Sequence, residues 1–172
     1  MKKLLKLIII ILVVLLFTFL GHKIITKIQQ KEVVSQRLKI IPEFSFKTLE
    51  NSDFSNANLK PNIPTIFIYF NTDCDFCQHE AQNISEKIEL FKHTRLFFVS
   101  IENIETIKVF AKTYNLNNHN NITFLYDYTR TFSTRFGANT TPYILIYNKN
   151  KELVKKHKGQ LKVEAILKFI KN

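Results

Sequence analysis

The chain holds two cysteines in 172 residues, Cys74 and Cys77, with Asp75 and Phe76 between them. A structural zinc site needs four ligands, and one CxxC supplies two. A secreted domain stapled by disulfides uses more cysteines over longer loops. The pair therefore points to redox chemistry, and neither a metal nor another cofactor is expected. A thiolate, not a thiol, attacks a disulfide, and the N-terminus of a helix favours the thiolate through its unpaired N–H groups and dipole. An apolar run, Ile63–Phe70, precedes the pair and a helix-spaced segment follows it. Cys74 then falls at the helix cap and Cys77 one turn on, within reach of its sulfur. Cys74 is the expected nucleophile and Cys77 the more buried resolving thiol. Asp73 and Asp75 flank Cys74, and no Lys, Arg or His lies between Asn71 and Gln78. Like charge disfavours a further anion, so a reducing poise is expected. His79 is expected to be exposed and without partners for a metal site.

The elements that must position this pair alternate in type. Glu43–Leu49 alternates apolar and polar residues and reads as a strand, and the Asn- and Ser-rich 51–62 as a loop. Ile63–Phe70 and Arg95–Ile101 are apolar and β-rich, as in strands buried on both faces. Asp75–His93 carries Phe76, Ala81, Ile84, Ile88 and Phe91 at roughly helical spacing. Ile104–Tyr114 reads as a helix, Ile122–Tyr126 as a strand and Thr129–Phe136 as a short helix ending at Gly137. Tyr143–Tyr147 and Glu152–Lys158 read as an antiparallel pair, and Leu161–Ile170 as a closing amphipathic helix. This order predicts an α/β fold with a mixed central sheet flanked by helices. In such sheets chemistry gathers beyond the carboxyl ends of parallel strands, where Cys74 sits.

Upstream lies a different kind of segment. Residues 1–6 form a basic tip, and Leu7–Leu20 is apolar apart from Thr18. With Ile24 and Ile25, residues 7–25 approach the ~20 residues that span a bilayer as a helix, provided Lys6 and Lys23 snorkel. No Ala-x-Ala cleavage site follows, so the segment is expected to stay as an anchor rather than to leave as a signal peptide. Residues 26–41 read as a helical stalk that Pro42 ends, and 42–172 as the single globular domain. The formal charge of +11 is concentrated here. Residues 1–40 carry eight Lys/Arg against one acid, and residues 41–172 seventeen against thirteen. That placement suits anionic lipid headgroups rather than nucleic acid. The charges after the apolar run outnumber those before it, which by the positive-inside rule favours a cytoplasmic domain. The basic tip before the run and the use of disulfide chemistry outside the cytosol favour export. The expectation is a single-pass protein of a bacterial inner (cytoplasmic) membrane with its domain facing the periplasm or cell exterior.

The segments NTDCDFCQHEA (71–81) and GANTTPYILIY (137–147), with IPEFSFKTLENSDFSNANLKPNIPTIFIYF (41–70) before them, resemble the thioredoxin superfamily. Within it they resemble the membrane-anchored TlpA/ResA-like thiol–disulfide oxidoreductases. The resemblance covers about residues 41–172 and implies a thioredoxin-like fold with a lead-in hairpin before the first core strand. It implies a cis Pro142 packed against the Cys pair and Thr141 as the residue that meets substrate backbone. It also implies that Glu80 is an active-site carboxylate. Three positions depart from the family pattern. Asp73 replaces a Trp, Phe76 a Pro, and Ile68 the buried acid of many thioredoxins, which leaves Glu80 to handle protons.

The expected function is reduction or exchange of disulfides in exported proteins. The expected partners are disulfide or dithiol proteins, a membrane electron donor upstream and lipid around the N-terminal helix. The alternative is a tethered metallochaperone or scaffold of the same fold, although copper carriers of that fold space their cysteines one residue wider. A peroxiredoxin needs Thr three residues and Pro seven residues before its peroxidatic Cys, and Asn71 and Phe67 stand there.

Overall fold

A computed structural model of the chain describes residues 2–170, with the side chains of 2–5, 7–11 and 13 outside the description. Most of the expected basic tip and much of the apolar run therefore lie outside the described side chains. The chain forms two units, residues 1–36 and 37–172.

Helix α1 spans Lys2–Arg37. Among the described residues no helix is long and apolar enough to cross a membrane. The described apolar side chains of α1, from Leu12 through Phe17 and Phe19 to Val33, are exposed. The helix stops at Arg37 rather than at Ile41, where the stalk is expected to end. Leu38 is fully buried, Lys39 O accepts from Leu153 N at 2.9 Å, and Ile40 bridges Glu152. Pairing with the sheet replaces the last helical turn before Pro42.

The second unit is built on a seven-stranded sheet. Its strands are β1 (Ser45–Thr48), β2 (Asp53–Ser55), β3 (Thr65–Tyr69), β4 (Arg95–Ser100), β5 (Ile122–Tyr126), β6 (Tyr143–Tyr147) and β7 (Leu153–Lys158). They lie in the order β2-β1-β5-β4-β3-β6-β7. Strands β3, β4 and β5 run parallel, and the remaining pairs are antiparallel. The predicted mixed sheet is thus present, with one addition. Phe54 sits in the Asn- and Ser-rich segment expected to be a loop, yet it is buried and pairs with Phe46 across β1 and β2. A single aromatic among polar residues is enough to seat a three-residue strand against a preformed neighbour.

Alternation along the strands divides the core between two faces. One face carries Ile66, Ile68, Phe70, Leu96, Phe98 and Phe124. It is covered by α2 (Asp75–Glu86), α3 (Ile104–Thr113) and α5 (Val163–Ile170). The other face is largely aromatic. Phe67 touches Phe44, Phe97, Phe132, Phe136 and Tyr147 with ring centroids 5.2–6.2 Å apart. Phe132 and Phe136 come from the short helix α4 (Phe132–Phe136). Gly137 ends α4 at φ 68°, a left-handed position that costs Gly no Cβ clash. The expected helix 75–93 stops at Glu86 and continues as a 3₁₀ turn, Ile88–Phe91.

Candidate active site

The parallel strand β3 delivers the chain to the Cys pair. Phe70 N still bonds Val99 O at 3.0 Å, and then the backbone turns. Asn71 closes the turn, its side chain accepting from Asp73 N at 2.9 Å and its carbonyl from Cys74 N at 3.3 Å. Cys74 takes the N-cap position of α2, with extended φ −90° and ψ 111°. Its carbonyl accepts from Cys77 N at 2.8 Å and Gln78 N at 3.0 Å. Most N-caps use an oxygen side chain to satisfy the first orphan N–H groups. Here the cap is a sulfur that makes no side-chain cap bond, so those donors are left to face it.

The two thiols are driven apart. Burial pushes Cys74 up, but contacts with the Cys77 thiol and N–H, with Thr141 and with the Phe76 N–H outweigh it, so Cys74 lies below the ordinary thiol value. In its thiol form Sγ donates to the Thr141 carbonyl at 3.6 Å. Cys77 is 2 % exposed. Burial pushes its thiol up to about 12, with the neighbouring Cys74 sulfur adding to the rise. Asp73 and Asp75, expected to flank Cys74 with negative charge, are both exposed, where water screens their charge, and the contacts that lower Cys74 come from Cys77, Thr141 and Phe76.

The remaining expected residues converge on the same place. The Thr141–Pro142 bond is cis, Pro142 is buried at the start of β6, and Thr141 is partly exposed beside Cys74. Glu80 is fully buried, one turn beyond Cys77. Its Oε2 accepts from Leu161 N at 2.8 Å, and its Oε1 has no partner. Burial raises its carboxyl to about 7, against the opposing Leu161 bond. His79 is exposed. Phe76, read from its spacing as part of the apolar face, is instead 63 % exposed. The inward stripe is Cys77, Glu80, Ala81 and Ile84, which leaves Phe76 pointing to solvent next to the nucleophile.

Sequence reasoning passed over a polar network behind Cys74. Thr72 is held by Glu102 and Gln78, and Glu102 in turn by Ser100. Its signal is a Ser and a Glu two residues apart just past the end of a buried strand, at the edge where chemistry gathers. A groove of about 400 Å³ opens beside this network, lined in part by Asp73, Val109, Phe110 and Tyr114. A larger cavity, about 680 Å³, lies at the opposite ends of β3 and β4 near Pro64 and Arg95, away from the thiols. Among the described residues no cluster of three His, Cys, Asp or Glu could hold a metal ion.

Residues 38–156 match the AhpC/TSA family. No curated protein matches the chain. Among solved structures, a secreted Mycobacterium tuberculosis disulfide oxidoreductase is 20 % identical with a TM-score of 0.62. The match covers 78 % of this chain and 96 % of that one. StoA from Bacillus subtilis is 19 % identical with a TM-score of 0.60, covering 76 % of this chain and 98 % of that one. A putative thioredoxin from Neisseria meningitidis is 24 % identical with a TM-score of 0.62, covering 74 % and 84 %. These likenesses establish the thioredoxin-like fold.

Proposed function

The chain belongs to the AhpC/TSA family, and from that premise we propose that it is a thiol–disulfide oxidoreductase that reduces or exchanges disulfides in exported proteins. The observation that carries this reading is the split pair. Cys74, its thiol below the ordinary value, caps α2 and contacts Thr141, while Cys77 lies buried beneath it with its thiol raised. A more readily ionised first thiol and a held-back second thiol are what two-step exchange requires.

The Cys74 thiolate attacks one sulfur of a substrate disulfide. A mixed disulfide forms, and the other substrate sulfur leaves as a thiolate that takes up a proton. Cys77 must next lose its proton. Glu80, on the same buried stripe and with its carboxyl near 7, is the group suited to receive it. The Cys77 thiolate attacks the Cys74 sulfur, and the second substrate thiolate leaves and is protonated. The substrate has gained two electrons and two protons, and the enzyme holds a Cys74–Cys77 disulfide. A dithiol electron donor in or at the membrane resets it. The thiol-bearing turn stands beside exposed Phe76 and partly exposed Thr141, which suits an extended polypeptide substrate.

Helix α1 is proposed to anchor the domain in the inner (cytoplasmic) membrane, with the domain on the periplasmic or outer side. Its exposed Leu, Val, Ile and Phe side chains support this, because apolar side chains all round a helix need lipid or a partner. In this respect the protein resembles the anchored TlpA/ResA-like group.

Insulin reduction driven by dithiothreitol tests the activity. Cys74→Ser should abolish turnover, and Cys77→Ser should accumulate mixed disulfides because attack survives and resolution does not. Adducts on the Cys74 variant instead would reverse the assigned roles. Family membership also favours peroxide reduction as a second reading, which a peroxide-consumption assay on the same preparation separates. Phe67 and Asn71 stand where that chemistry uses Pro and Thr, and Phe67 is locked in the aromatic core.

A further inference from the structure

Only residues 71–73 separate the last sheet bond of β3 from Cys74, so the place of the nucleophile depends on how that turn is held. Thr72, at its centre, has all three of its polar groups engaged by side chains from other elements. Its N–H donates to Glu102 Oε2 at 2.9 Å, and its hydroxyl donates to Glu102 Oε1 at 2.9 Å. Its carbonyl accepts from Gln78 Nε2 at 2.8 Å. Glu102 is fixed in turn. Ser100 Oγ donates to its Oε2 at 3.2 Å, and its own N–H donates to Ser100 Oγ at 3.2 Å. Ser100 is fully buried at the end of β4.

Only a carboxylate accepts at both oxygens here; an amide would keep one acceptor and offer an NH₂ group, so the Thr72 hydroxyl would have to turn from donor to acceptor. The charge strengthens the bonds and the two-pronged grip fixes direction. The path runs from the sheet through Ser100 and Glu102 to Thr72, and from Thr72 both along the chain to Cys74 and through Gln78 to the first turn of α2.

We propose that Glu102 is a positioning residue for disulfide exchange, holding Cys74 at the N-terminus of α2 by gripping Thr72. This rests on Cys74 being the nucleophile of the reading above. The other ionisable groups around the turn are exposed Asp73 and Asp75, Cys77 beneath Cys74, and Glu80 on the inward stripe of α2. None of them hydrogen-bonds to Thr72, whose partners are Glu102 and Gln78.

Charge and position pull in opposite directions, and this makes the proposal testable by sign. Removing a nearby negative charge favours a thiolate. Removing the grip lets Cys74 drift from the donors that stabilise its thiolate. The test follows alkylation of Cys74 by iodoacetamide against pH, by mass spectrometry, in the full chain in detergent. Glu102→Ala should raise the midpoint and slow alkylation at pH 7 about threefold to tenfold, the loss expected for a rise of about half to one pH unit. Exchange turnover should fall in parallel. Glu102→Gln, which keeps one acceptor, should fall between wild type and Ala. Thr72→Val, which keeps the N–H bond, should do the same. Glu105→Ala, a neighbouring exposed carboxylate on α3, should leave the profile unchanged.

A Glu102→Ala chain whose midpoint stays put or falls overturns the proposal, even if its thermal midpoint drops. Failure of the underlying reading would look different. Wild type would then lack exchange activity, or Cys74→Ser would retain it, whatever Glu102 does.

Discussion

At the scale of single residues, the Cys pair was legible in the sequence because its chemistry is local. A strand, a turn and a helix start are enough to say which thiol caps the helix. The burial of Glu80 depends instead on the phase of α2. That phase follows from placing Cys77 inward, since residues three and four further on share its face. The same phase turns Phe76, one residue before Cys77, out to solvent, against the reading from its apolar spacing. The consequence is measurable through stability. The folded-state pKa of Glu80, about 7, lies above its ordinary 4.5. Below pH 4.5 the group is protonated whether folded or not, and burial costs nothing extra. As pH rises to about 7 the unfolded chain releases the proton first, so stability falls across that window and stays lowered above it. The expected loss is about 3 kcal/mol at pH 8. Glu80→Gln should be insensitive in this window. The difference between the two denaturation curves, followed by urea from pH 4.5 to 8, isolates the group. Parallel curves would mean that Glu80 ionises freely in the folded protein.

Among the elements, strands with continuous apolar runs and the helices α3 and α5 lay close to their expected positions, because period and length decide them. Short elements escaped because partners outside their own segments make them. Strand β2 exists by pairing with β1, and α1 yields its last turn to a bridge with Glu152. Helix α4 is expected from 129 and starts at Phe132, and the cause is Asp127. This fully buried carboxylate accepts from Phe132 N at 2.7 Å and Thr131 N at 3.0 Å, and from the Thr129 hydroxyl. It thus starts a five-residue helix that could not hold alone. Asp127→Ala orphans these donors and should cost about 2–3 kcal/mol in chemical denaturation. The alkylation profile of Cys74 should not change, because α4 serves the face of the sheet away from α2. A shift of that profile would show that the two faces are coupled.

For the molecule as a whole, the division at residues 36 and 37 separates two kinds of surface. Residues 37–172 bury their own apolar side chains on both sides of a sheet. The described apolar side chains of helix α1 from Leu12 to Val33 are exposed. The full chain should therefore sediment with membranes and need detergent for release. A chain starting at Arg37 should be recovered in the soluble fraction with the same Cys74 profile. Recovery of the full chain as a soluble species would remove the anchor from the proposal. Protease treatment of osmotically opened cells settles the side, since digestion of the domain there requires it to face outward.

The order of strands has a consequence in time as well as in space. Strand β3 is bonded on both sides, to β4 and β6, along all five of its residues. Its amides should exchange with deuterium only when the whole unit unfolds, whereas the turn at 71–73 has side-chain partners in place of a ladder. The nucleophile would then sit on the boundary between amides released only by global unfolding and amides released by local opening of the turn. Local opening of the turn then need not draw on the stability of the strand behind it. Hydrogen exchange followed by mass spectrometry should show peptides covering 65–69 protected to the global limit and those covering 71–76 opening well below it. Equal protection across the two would mean that the turn and the strand move as one piece.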